Sequence, residues 1–146
     1  MSQRHQYERT TVPIERSKEA IRQLLRKHGA QVVQWTEGAG IVQLQFAVKY
    51  ILEKETKLLP IRIRVSLAGK KEQSVYRALL NNLLAKWTAI DFGIETLEEA
   101  FLPYVMLRLP GGMETTIGEK LLPHIRRGDL PDFQGITTGL LTEGGQ

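Results

Sequence analysis

Cysteine is missing from this 146-residue chain, so disulfides, thiolate metal sites and a cysteine nucleophile are excluded. Histidine is scarce: His5, His28 and His124 stand far apart with no pair at one-turn spacing, and no metal site is expected. Serine is equally thin, and no Gly-x-Ser-x-Gly elbow points to a serine hydrolase. Gly69-Lys70-Lys71 lacks the preceding glycine and the following Ser or Thr of a phosphate-cradling loop, and Gly111-Gly112 opens no nucleotide motif. Residues 1–11 are polar, and no apolar run approaches the thickness of a bilayer. Neither a secretion signal, a membrane partner nor a cofactor is expected.

What is present suits a single globular domain: 42% hydrophobic and 25% charged residues in a length that closes one core. The cysteine-free composition is compatible with a reducing, cytoplasmic setting. The net charge of +4 conceals an asymmetry. Residues 1–86 hold sixteen Lys and Arg against seven Asp and Glu, a net +9, whereas residues 87–146 hold four against nine, a net −5. Such a division fits either a surface for a polyanion or two ordinary solvated faces.

The strictest alternation lies in residues 41–67. Val42, Leu44, Phe46, Val48, Tyr50 and Leu52 share one parity; after a charged break, so do Leu59, Ile61, Ile63, Val65 and Leu67. Successive strand residues point to opposite faces, so the two runs predict a long antiparallel hairpin with one apolar face. Taking Glu53-Lys54-Glu55-Thr56 as the turn pairs Leu52 with Lys57, Phe46 with Ile63 and Gln45 with Arg64. The other face carries Gln43, Gln45, Ala47 and Lys49, then Arg62, Arg64 and Ser66, with no carboxylate between the strand ends. Amides, a hydroxyl and cations are the groups that a polyanion's backbone requires.

Around that hairpin, residues 8–14 read as a first strand held to an edge by Pro13. Ser17 caps a helix to about His28, with Ile21, Leu24, Leu25 and His28 on its buried stripe and Lys18, Arg22 and Arg26 exposed. A strand over 31–35 sets Trp35 at the mouth of the turn Glu37-Gly38-Ala39-Gly40, as core or as a base-stacking platform. Lys70 and Lys71 lead into the longest helix, about 72–92. Its stripe of Val75, Tyr76, Leu79, Leu80, Leu83, Leu84, Trp87 and Ile90 can cover the hairpin's apolar face. Thr96 with Glu99, and Thr116 with Glu119, have capping-box spacing and predict two further helices, with a strand over 105–109 between them. Residues 134–146, rich in Gly and Thr, are expected to be a mobile tail behind a domain of residues 1–133.

One catalytic pattern merits weighing. Glu55-Thr56-Lys57 has the acid-x-lysine form of a metal-dependent nuclease fold, but that chemistry needs another acid in the adjoining strand, and Glu53 lies in the same turn. No enzyme is expected.

The chain resembles a family of uncharacterised proteins of tailed phages and prophages. The likeness is carried by Thr11-Val12-Pro13-Ile14-Glu15-Arg16-Ser17-Lys18, Arg26-Lys27-His28-Gly29-Ala30 and Gly93-Ile94-Glu95-Thr96-Leu97-Glu98-Glu99-Ala100-Phe101-Leu102. It continues in Leu109-Pro110-Gly111-Gly112, Ile117-Gly118-Glu119 and Pro123-His124-Ile125. The hairpin and the start of the long helix depart from the family's pattern. The resemblance implies a place in phage replication or recombination regions and the host cytoplasm as compartment; it carries over no catalytic residue.

These observations predict an α+β domain, an antiparallel sheet of three or four strands with helices packed on one face. Its open face is expected to bind nucleic acid, single-stranded DNA above all, since a sheet presents flat polar surface and no basic recognition helix is apparent. Arg62 and Arg64 would contact phosphates, and Gln43 and Gln45 sugar or phosphate oxygens. Lys49, Arg22, Arg26, Lys70, Lys71 and Arg77 would widen the electrostatic track, with Trp35 as the stacker. The alternative is a protein-binding module, an assembly subunit or an inhibitor of a host defence enzyme, using Phe133, Leu140 and Leu141. A second copy of the chain is an alternative partner, and the sequence leaves the oligomeric state open.

Overall fold

The structure, a computed structural model, describes residues 3–129, with side chains from Val12 onward. Alternation decides its centre. β1 (Ala30–Gly38), β2 (Ile41–Leu52) and β3 (Glu55–Ser66) form an antiparallel sheet in that order, as expected of the α+β class. Val42, Leu44, Phe46 and Val48 of β2 are buried on one face with Ile61 and Ile63 of β3.

Both hairpins close through two residues at positive φ, Ala39 and Gly40 (52° and 73°), then Glu53 and Lys54 (51° and 69°). Paired left-handed residues match the twist of the flanking strands, so the tight turn wins over the four-residue turn that the charged break suggested. Leu52 therefore pairs with Glu55, not Lys57. Phe46 faces Ile61, Gln45 faces Arg62 and Gln43 faces Arg64. A slip of two leaves every side chain on its expected face.

α1 (Gln3–Lys27) and α2 (Glu72–Asp91) cover the apolar face. They run parallel: Lys18 lies beside the Tyr76 ring, and ten residues on His28 stacks on Trp87 at 4.6 Å. The strand expected over 8–14 is instead the first half of α1, with Pro13 inside it. The β-branched Thr10-Thr11-Val12 run favours a strand locally, yet propensity is a weak prior against packing. Pro13 and Ser17 share a groove with Gln73, Arg77 and Asn81 of α2, a neighbour that local pattern does not reveal.

α3 (Leu97–Phe101) starts in a complete capping box: Thr96 Oγ1 accepts from Glu99 N and the Glu99 carboxylate accepts from Thr96 N. It delivers Phe101 into the core, 5.1 Å from Trp87 and edge-on to Phe46 at 5.9 Å. A 3-10 turn over Leu102–Tyr104 absorbs Pro103. β4 (Met106–Arg108) then pairs with β5 (Glu114–Thr116), which is too short to show alternation and was not expected, and α4 (Ile117–Arg127) ends at left-handed Gly128. Val105 makes one bridge to Ile61 on the outer edge of β3. From there β4, β5 and α4 lie over part of the polar face of the sheet, bringing Met106 to Gln45 and Glu119 to Arg62. No helix among the described residues is long and apolar enough to cross a membrane.

One ion pair pins α1 to the end of β1. Lys18 is buried, its ammonium paired with Glu37 and 5.3 Å from the Trp35 ring centre. The Tyr76 hydroxyl is buried beside them; burial and the neighbouring Glu37 carboxylate push its pKa up, so it stays protonated. Burial alone would raise the Glu37 pKa, but hydrogen bonding to Lys18, the neighbouring phenol and the charges of Lys18 and Arg22 together lower it below the ordinary 4.5. A carboxyl depressed by folding contributes stability that is complete above 4.5 and lost as pH falls through its lower folded value. Glu37→Gln is therefore expected to unfold earlier in urea at neutral pH, with the gap from wild type closing as the buffer is taken below that range. A gap that persists in acid would mean that the pin acts by shape and not by charge.

Candidate functional site

The polar face of the sheet is built as alternation requires, with Gln43, Gln45, Arg62 and Arg64 adjacent in two cross-strand pairs. Its groups, however, are engaged with one another and with the C-terminal elements. Arg62 is only 6% exposed, and its Nη2 donates to both oxygens of the Glu119 carboxylate at 3.0 and 3.2 Å. Arg64 Nη1 lies 3.7 Å from the same carboxylate, and its Nε donates to Gln43 Oε1 at 2.6 Å. Gln43 Nε2 donates to Gln45 Oε1 at 2.9 Å, and Gln45 Nε2 to Met106 Sδ at 3.4 Å. The chain of donors ends inside the protein. Arg62 is thus a buried ion-pair partner and not an open phosphate contact, because α4 supplies the acid that the sheet face lacks.

Of the remaining candidates, only Lys49 shares that face. Trp35 pairs with buried Leu44 and projects to the core side, its ring 5.5 Å from Tyr76 and its Nε1 buried; it offers no platform on the polar face. Arg22, held by Glu19 at 3.5 Å, and exposed Arg26 belong to α1, on the opposite side of the sheet. Arg77 lines the groove between α1 and α2. Lys70 and Lys71 sit between β3 and α2, whereas Lys49, exposed opposite Leu58, stands on the polar face four residues along β2 from Gln45. Eleven residues that the sequence joins in one track occupy several separate surfaces. Glu55 and Lys57 form an exposed pair of 3.0 Å at the hairpin tip. Phe133, Leu140, Leu141 and the expected tail over 134–146 lie outside the described residues.

Two concavities flank Arg64. The larger, about 500 Å³, runs between the outer edge of β3 and α2. Ile63, Val65, Val75, Leu79 and Tyr104 give it apolar walls; Arg64 and Lys70 supply its charge, and no carboxylate lines it. Ala78, small and exposed, keeps it open. The smaller, about 190 Å³, lies across Arg64 between Arg62, Tyr104 and the start of α4. Tyr104 and Glu119 are the residues that sequence reasoning missed as site residues. Glu119 was read as a cap, though an acid at that spacing within a C-terminal part poor in cations was the available signal.

Family models, curated proteins and solved structures were each compared with the chain. It matches none of them.

Proposed function

We propose that this protein is a protein-binding module that takes an extended, acidic segment of a partner along the outer edge of β3, in the groove beneath α2. The observation that carries this is the groove itself. β3 is an edge strand whose outer side, among the described residues, is met only by the single bridge at Ile61. A strand edge with unpaired peptide groups beside an apolar trough is the arrangement in which a peptide adds as a further strand and sinks alternate side chains. Arg64 and Lys70, with no opposing acid in the lining, select acidic sequence. The nucleic-acid alternative loses its principal contact at Arg62, which supports placing the protein-binding reading first.

Selection from a random peptide library against the full chain is expected to return segments of alternating apolar residues carrying Asp or Glu. Ala78→Glu, which sets a carboxylate in the groove from an exposed position, is expected to weaken the selected peptides about tenfold, the effect of ~1.4 kcal/mol. Peptides indifferent to both Ala78→Glu and Lys70→Glu would overturn the proposal. So would salt-dependent retention of a single-stranded oligonucleotide that weakens on Lys70→Ala while no peptide binds, and the function would then pass to nucleic acid.

A further inference from the structure

We propose that the cleft between Arg62, Arg64 and the start of α4 is an oxyanion site of phosphate type, with Glu119 as its resident stand-in. The charges at this place do not balance. Two guanidinium groups share one carboxylate, and α4, eleven residues long, directs the positive end of its dipole at the same spot. Arg62 lines the cleft, is more than nine-tenths buried, and keeps one donor, Nε, with no acceptor. With that donor unpaired, Glu119 alone does not satisfy the guanidinium. At Gly118 the backbone is pressed so closely on the cleft wall that a Cβ would sit 2.7 Å from the Pro103 carbonyl oxygen.

Glu119 is placed to yield. Thr116 Oγ1 accepts from Glu119 N at 3.1 Å, which is half of a capping box. At Thr96 and Glu99 the same spacing forms both halves, the carboxylate returning to the N-cap amide. The Glu119 side chain, 37% exposed, instead reaches across to Arg62. Rotation to the Thr116 amide completes the box and leaves both arginines facing the cleft. A tetrahedral oxyanion then accepts from Arg62 and Arg64 together, as a phosphate does from paired guanidinium groups. The cleft holds such a group and little more, so the ligand is free phosphate or a terminal phosphoryl group whose remainder lies outside.

Calorimetric titration of the full chain with inorganic phosphate, and in a parallel arm with a nucleoside 5′-monophosphate, tests this against sodium chloride at equal ionic strength. Wild type is expected to bind weakly, because the anion displaces Glu119, and Glu119→Gln to bind at least about tenfold more tightly, or ~1.4 kcal/mol. Arg64→Gln, a change at an exposed side chain, is expected to abolish the heat. Tighter binding in one arm identifies the source. Absence of saturable binding in Glu119→Gln, or equal affinity with and without Arg64, would overturn the site; if Glu119→Gln does not fold, wild-type binding unaffected by Arg64→Gln does the same. The peptide groove is probed through Ala78 and Lys70, which do not line this cleft, so the two proposals fail separately.

Discussion

Phe101→Ala is expected to remove about 3–5 kcal/mol of folding stability, measured by urea unfolding followed through the fluorescence of the buried Trp87. Phe101 is wholly buried and closes the aromatic cluster of Phe46 and Trp87, with the Lys86 ammonium 5.8 Å from its ring centre. Truncation there loses the transfer free energy of the ring and leaves a cavity that three rigid elements cannot collapse into. A small domain is stable by only about 5–15 kcal/mol, so the variant sits near the margin of folding. Phe92→Ala is the control. That ring is 79% exposed just beyond α2, and its removal is expected to change stability by less than about 0.5 kcal/mol. Equal losses in the two variants would mean that α3 does not anchor the core.

Glu119→Ala, in chloride buffer, is expected to cost about 3 kcal/mol, the lower end for a broken buried pair because the carboxylate is partly open to water. The cost arises from Arg62, which stays charged and buried when its acceptor is taken away. A doubly apolar replacement, Arg62→Met with Glu119→Leu, is expected to return to within about 1 kcal/mol of wild type, since it removes the desolvation penalty together with the attraction. A double variant as unstable as Glu119→Ala would show that α4 is held to the sheet by that ion pair and not by the surrounding packing. The comparison bears on function as well, because the same carboxylate that satisfies Arg62 closes the face on which a phosphate backbone was expected.

Several elements were legible because their signals are local. The two faces of the hairpin follow from period-two alternation, which holds whatever the turn; the register does not, and it moved by two once Glu53 and Lys54 adopted left-handed geometry. α2 was visible in its apolar stripe, and α3 in the Thr96 and Glu99 box, whose partners are three residues apart. The first half of α1 was misjudged where β-branched residues and Pro13 spoke for a strand, while the neighbouring α2 decided otherwise.

Residue order by itself determined the class of fold, which side of the two long hairpin strands is apolar, and the absence of thiol chemistry. Only the tertiary structure decided whether the polar side is available. Arg62 and Glu119 are 57 residues apart, and no periodicity or spacing reports a pair at that separation. An acid-free face is therefore a statement about neighbours along two strands. In the folded chain the missing acid arrives from α4, because a buried guanidinium is too costly to leave without an acceptor.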